Sequence, residues 1–184
     1  MAPYQINAND VKVNWNNNQI VQRACGKFRR EWETVMPRHK NYTQENYPLI
    51  RYADVLLMLA EAENETNQAP TALAYEAINI VRERAGVEPL SGLSYTEFQQ
   101  ELRDERGREL AFESLRKYDL VRWGIYTEAI GKLGEVTYDS RWPGGSNYTT
   151  ARAFAERTQK KHEFLPIPLR ELTINTELRQ NPLW

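Results

Sequence analysis

The densest group of side chains able to do acid–base chemistry is Asp104-Glu105-Arg106-Gly107-Arg108-Glu109, followed by Glu113, Arg116, Asp119 and Arg122. Glu105, Glu109 and Glu113 recur every four residues, which puts three carboxylates on one face of a helix. Two carboxyls facing across a cleft, one of them held protonated, would be the machinery of glycoside hydrolysis. Here arginines at three- and four-residue offsets (Arg106, Arg116 and Arg122) favour the ionised form of every carboxylate. Like charges at this spacing repel by about 0.2–0.5 kcal/mol per pair, and forked arginine pairing offsets that. The pattern reads as an ion-pair lattice and not as a catalytic centre.

Other chemistry lacks its residues. The only histidines are His39 and His162, and no Glu-x-x-His, His-Glu-x-x-His or Cys-x-x-Cys spacing occurs. A transition-metal or di-iron site therefore has no ligand set. There is no glycine-rich phosphate loop and no Gly-x-Ser-x-Gly elbow. Cys25 paired with either histidine as a nucleophile has nothing to position or activate it. No catalytic residue, metal or cofactor is expected. Cys25 reads as structural: Ala24-Cys25-Gly26 is only superficially like a lipid-attachment site, since Gln22-Arg23 precede it in place of an apolar region. The opening Met1-Ala2-Pro3-Tyr4-Gln5 lacks the charged and apolar regions of a signal peptide. Asn41-Tyr42-Thr43, Asn64-Glu65-Thr66 and Asn147-Tyr148-Thr149 match the N-glycosylation pattern and are read as chance.

Ligand capture without chemistry needs aromatic faces and planar polar groups. Tyr138, Trp142, Asn147 and Tyr148 bring these together in one stretch, and Trp15 in its asparagine-rich surroundings is a second candidate. The competing reading is that these aromatics pack the loop onto helices or onto a missing N-terminal half. Trp123 beside Arg122 is expected in the core.

The elements that must hold these residues are mostly helices. Residues up to about Tyr47 read as an irregular lead-in, with short extended pieces at Val11-Lys12-Val13 and Lys27-Phe28. After Pro48, apolar residues recur at spacings of three and four through Leu49, Tyr52, Ala53, Leu56, Leu59 and Ala60. Leu57 and Met58 widen that face, so this helix is expected to be mostly buried. Asn67-Gln68-Ala69-Pro70 ends it, and Pro70-Thr71 opens a second helix closed by Gly86. The pair makes an antiparallel hairpin of the tetratricopeptide kind. Ser94-x-x-Glu97 is a capping box that starts a long helix from about Thr96 to Leu115, with Gly107 marking close packing. A further helical turn or two reaches Trp123 and stops at Gly124. Residues 131–150 read as irregular, Phe164-Leu165-Pro166-Ile167-Pro168 as extended, and Leu169–Leu172 as a short helix. The division is thus a lead-in over 1–47, a helical core over 48–124, and loops and tail over 125–184.

At 184 residues the chain fits one domain or a large part of one. Its 24 Lys+Arg against 25 Asp+Glu give a net charge of −1, so no basic surplus exists to bind nucleic acid. The charges are interspersed, with no block aimed at anionic lipid. No apolar run reaches the roughly 18 residues a membrane helix needs.

Several segments, in order, resemble the SusD/RagB family, and they cover nearly all of the chain beyond Gly26. They are Gly26-Lys27-Phe28-Arg29-Arg30, the helix from Tyr47-Pro48-Leu49-Ile50-Arg51 through Ala62, and Ala77–Gly86. Glu105-Arg106-Gly107-Arg108-Glu109-Leu110-Ala111-Phe112-Glu113 with Arg116 and Asp119–Trp123 follows, then Phe164–Pro168 and Gln180-Asn181-Pro182. The resemblance is to the C-terminal part of the family. It implies a mainly α fold with tetratricopeptide-like helix pairs and long irregular loops. It also implies a non-catalytic, glycan-binding lipoprotein on the outer-membrane surface of a Bacteroidetes-type bacterium, partnered by a SusC-like TonB-dependent transporter. The membrane would be reached only through a lipid anchor absent from this chain. A peptide ligand, or a helical docking scaffold with no small-molecule site, stays open beside it.

Overall fold

The computed structural model describes residues 4–6, 11–14, 25–39, 41–135 and 146–184. Among them the chain is mainly helical, and it divides into two compact units.

One unit is Cys25–Arg116. Its helices are α1 (Tyr52–Asn67), α2 (Ala72–Arg84) and α3 (Tyr95–Glu109). Thr71 caps α2 by accepting from the Ala74 amide at 3.1 Å. Gly86, at φ 71°, ends it as expected: its amide reaches the Glu83 carbonyl, and the Val87 amide the Arg82 carbonyl. Ser94 and Glu97 form the anticipated reciprocal cap of α3. Hydrogen bonds from Ser94 hold the Glu97 carboxyl below its usual range. The three helices enclose Ala53, Leu56, Leu57, Ala60, Ala74, Ala77, Ile78, Val81, Phe98 and Leu102. Each large side chain buried this way contributes about 1.5–3 kcal/mol.

Three expectations for this unit are corrected. Lys27-Phe28 is not extended; it is a bend with Phe28 at φ 54°. Helix α1 is not mostly buried. Tyr52 is 72% exposed, and Val55, Met58 and Leu59 are exposed with it. Apolar residues ring the whole helix, so spacing could not choose the inner face. The core side in fact carries Asp54, Glu61 and Asn64. The Asn64 amide donates to the Tyr95 carbonyl at 3.2 Å, and Asp54 lies 2.9 Å from the Arg106 guanidinium. Both partners sit on α3, too far along the chain for a local pattern to reveal.

The third correction concerns α3, which ends at Glu109 and not near Leu115. Phe112 and Ser114 then take left-handed backbone, at φ 66° and 63°. This turn brings Arg116 back over α3, where its guanidinium donates to the Arg103 carbonyl at 2.9 Å. A methyl on Gly107 would stand 3.3 Å from the Arg116 guanidinium carbon, which is the close packing that glycine permits. Ser114→Gly is expected to stabilise the protein by about 1 kcal/mol, because serine meets steric resistance at this φ and glycine does not. Urea denaturation checks it, and a loss of stability would refute the account.

The other unit combines Lys117–Trp184 with a short N-terminal strand pair. Strands β1 (Tyr4–Ile6) and β2 (Lys12–Asn14) are antiparallel, with Gln5 opposite Val13. Helices α4 (Arg116–Arg122), α5 (Tyr126–Glu135), α6 (Ser146–Arg157) and α7 (Leu169–Ile174) follow. The expected irregular stretch at 131–150 is therefore helical at both ends. Gly131 and Gly134 each cost about 1 kcal/mol in α5. The helix forms because it packs against α6 and carries a Glu128–Lys132 ion pair at 2.8 Å. Trp123 is only half-buried, with the Arg122 guanidinium 4.8 Å above its ring. Around Leu165–Pro168 the chain is extended as expected. There Gln180 grips Ile167 by its amide (2.7 Å) and its carbonyl (2.9 Å) at once.

Candidate functional site

Of the five expected ligand contacts, Trp15, Tyr138 and Trp142 lie outside the described residues. Asn147 and Tyr148 fall in the first turn of α6, where a loop was anticipated. What the structure does bring together is a polar and aromatic corner at the C-terminal end of α3, all within the Cys25–Arg116 unit.

At its centre is Glu113, with a side chain only 4% exposed. The Arg51 guanidinium, just before α1, reaches both carboxylate oxygens at 2.8 Å. Lys27 binds the same carboxylate and also donates to the Glu109 carbonyl at 2.6 Å. Burial pushes the Glu113 carboxyl up, but the hydrogen bonds and charges of Arg51 and Lys27 outweigh it and hold it below its usual 4.5. The Arg51 guanidinium is correspondingly raised, chiefly by its hydrogen bond to Glu113. Glu109 pairs with Arg51 at 2.9 Å and with Arg84 at 2.5 Å. Glu105 pairs with Arg82 of α2 at 2.9 Å and with Arg108 at 3.2 Å.

An ion-pair lattice is thus present, yet the cations differ from those the spacing suggested. Arg106 turns to Asp54, Arg122 to Asp119, and Arg116 to a backbone carbonyl. The partners of Glu105, Glu109 and Glu113 come largely from the residue before α1, from α2 and from the lead-in. The carboxylate row bridges segments that are remote in sequence. Chemically, a carboxylate whose pKa is lowered by Arg51 and Lys27, as that of Glu113 is, is suited to fixing geometry and not to donating a proton. Among the described residues, no group of three His, Cys, Asp or Glu side chains is placed to hold a metal.

Aromatic rings surround this cluster. The Tyr47 hydroxyl donates to the Glu113 carbonyl at 2.6 Å, and its ring stacks on Phe28 at 5.2 Å with an interplanar angle of 28°. Phe112, next to Glu113, is 62% exposed. Sequence reasoning passed over all three rings. A phenylalanine gives no local sign that its backbone will be left-handed, so the only readable signal was the charge cluster beside them.

The helical fold and this lattice can be set against known proteins. The SusD family profile matches residues 3–184. This chain belongs to the SusD family. Among relatives of the SusD-family chain, the SusD-like protein P25 of Formosa agariphila is 40% identical over 141 residues, covering 74% of the chain and 24% of the relative. The Starch-binding protein SusD of Bacteroides thetaiotaomicron is 31% identical over 144 residues, covering 78% and 22%. A SusD homolog crystal structure from Bacteroides thetaiotaomicron superposes with a TM-score of 0.61 at 39% identity, over 73% of the chain and 26% of that structure. A SusD superfamily protein from Bacteroides vulgatus gives 0.58 at 28% identity, over 77% and 29%. The mainly helical architecture is thus shared with SusD proteins, and the chain spans about a quarter of the length of the curated relatives it matches.

Proposed function

We propose that this SusD-family chain belongs to a non-catalytic glycan-capturing component of nutrient uptake. It would act at the outer-membrane surface beside a SusC-like TonB-dependent transporter. The observation carrying this reading is the family match over residues 3–184, with a relative named as starch-binding. The clamping of Glu105, Glu109 and Glu113 by arginines and Lys27 agrees with capture and not hydrolysis. Within the chain, Trp142, Tyr138, Asn147 and Tyr148 would supply stacking faces and hydroxyl partners for sugar rings, with Trp15 as a weaker contact. Affinity electrophoresis against a panel of polysaccharides tests this. At least one glycan is expected to retard the chain, and Trp142→Ala to abolish the retardation. Retention by no glycan would overturn the reading, and retention unchanged in Trp142→Ala would move the site elsewhere.

One observation favours a second reading, a helical scaffold that docks another polypeptide. The outward face of α1 exposes Tyr52, Val55, Met58 and Leu59 in a continuous apolar row. A chain that binds no glycan but forms a stable complex with the transporter would select this reading.

A further inference from the structure

After α6 the chain makes one turn of 3-10 helix, Lys160–Glu163, and this turn grips Trp184. The indole N–H donates to the Lys161 carbonyl at 2.9 Å and to the Phe164 carbonyl at 3.1 Å. The Lys161 ammonium lies 4.8 Å from the centre of the ring. The His162 ring meets the indole edge-to-face, with centroids 5.7 Å apart at 76°. His162 also closes the turn itself. Its Nδ1 accepts from the Gln159 amide at 2.8 Å, while its own amide donates to the Gln159 carbonyl at 2.9 Å. Only a neutral imidazole with its proton on Nε2 can accept there, because both nitrogens of the protonated ring are donors. A proton on Nδ1 would face the Gln159 N–H, donor against donor. Within the turn, Lys160 and Lys161 disfavour an imidazolium beside them. Glu163 would favour one, but its side chain is 6% exposed and already pairs with Lys160 at 2.8 Å. On α5, which packs against the turn, the described charges are Glu128 and Lys132, paired with each other. Arg157 at the end of α6 and the terminal carboxylate of Trp184 complete the charged groups on the adjoining segments.

We infer that His162 makes this corner a pH-sensitive latch, closed on Trp184 while the imidazole is neutral and opened when it is protonated. The closed turn requires a bare Nδ1. Closure is therefore complete above the usual imidazole value of about 6.5 and is lost as the pH falls below it. The opening is local. Gln180 holds Ile167 and Asn181 holds the Leu165 carbonyl through neutral amides, which no proton in this range disturbs. Residues 182–184 are what the latch releases, with Leu183 and Trp184 among them, and the Lys161 and Phe164 carbonyls lose their indole donor.

The test is fluorine NMR of the whole chain labelled with fluorotryptophan, the Trp184 signal being identified by its absence in Trp184→Phe. That signal should move in one transition centred at or just below about pH 6.5. Its solvent isotope shift between H2O and D2O should rise through the same transition toward that of a fully exposed indole, from a residue 44% exposed when held. His162→Gln keeps a neutral acceptor for the Gln159 amide, so its Trp184 signal should stay at the closed position throughout. His39→Gln, at the other histidine, should keep the transition. A Trp184 signal that does not titrate in the unsubstituted chain would overturn the latch, and so would one that titrates unchanged in His162→Gln or is lost in His39→Gln. A signal that moves while its isotope shift stays constant would report a charge appearing beside a tail that remains shut, and would overturn it as well.

Discussion

Glu113→Ala should cost about 3–5 kcal/mol of folding free energy, the range for removing one partner of a buried ion pair. The size follows from what one carboxylate holds. Lys27 loses its carboxylate and keeps the Glu109 carbonyl, while Arg51 loses one of its two carboxylates and keeps Glu109. The effect should also depend on pH. The Glu113 carboxyl titrates lower in the folded chain than in the unfolded one, so its stabilisation is complete above the usual carboxylate range. It is lost as the pH falls through the lowered folded value. Urea denaturation at neutral pH and across the acid range should show the unsubstituted chain losing this increment on acidification, while Glu113→Ala does not. A cost below about 1 kcal/mol at neutral pH would put the pair among ordinary surface salt bridges.

Phe98→Ala should be comparably severe, at about 3–5 kcal/mol. Phe98 is fully buried at the centre of the three-helix core, and its ring meets Tyr75 edge-to-face at 5.2 Å. Tyr75 in turn fixes the α2–α3 connection, accepting from the Leu93 amide at 2.7 Å and donating to the Leu93 carbonyl at 3.3 Å. The cavity would therefore undercut the loop as well as the core. Chemical denaturation gives the total. Amide hydrogen exchange at residues 90–94 should rise by more than elsewhere if Tyr75 is released, and a uniform rise would sever that link.

How much of this was legible in the sequence varied with the range of the interaction. Thr71, Gly86 and the Ser94–Glu97 cap act within three or four residues, and the sequence displays them directly. The charge cluster was visible as a cluster, but its pairing was not. Arg51 reaches Glu113 from just before α1 and Arg82 reaches Glu105 from α2, and composition cannot rank a remote arginine above a near one. The end of α3 was missed because propensity runs on through Leu110–Leu115, whereas the fold turns Arg116 back over Gly107. Helix α5 was hidden by two glycines whose cost tertiary packing absorbs. In the expected binding stretch, aromatic and asparagine content was readable, while contact geometry is a property of the folded loop.

Helix α1 buries Asp54, Glu61 and Asn64 beside Ala53, Leu56, Leu57 and Ala60 and leaves an apolar row outside, and this mixing determines how the helix is seated. Hydrophobic burial alone would let α1 roll about its axis, because almost any face could enter the core at similar gain. Asp54 against Arg106 and Asn64 against the Tyr95 carbonyl admit a single rotation. Apolar replacements there would trade a keyed fit for several near-equal seatings, and a less uniform native state even where total stability rises. Those buried polar groups act as the key that selects one orientation among many that oil-like contacts would accept.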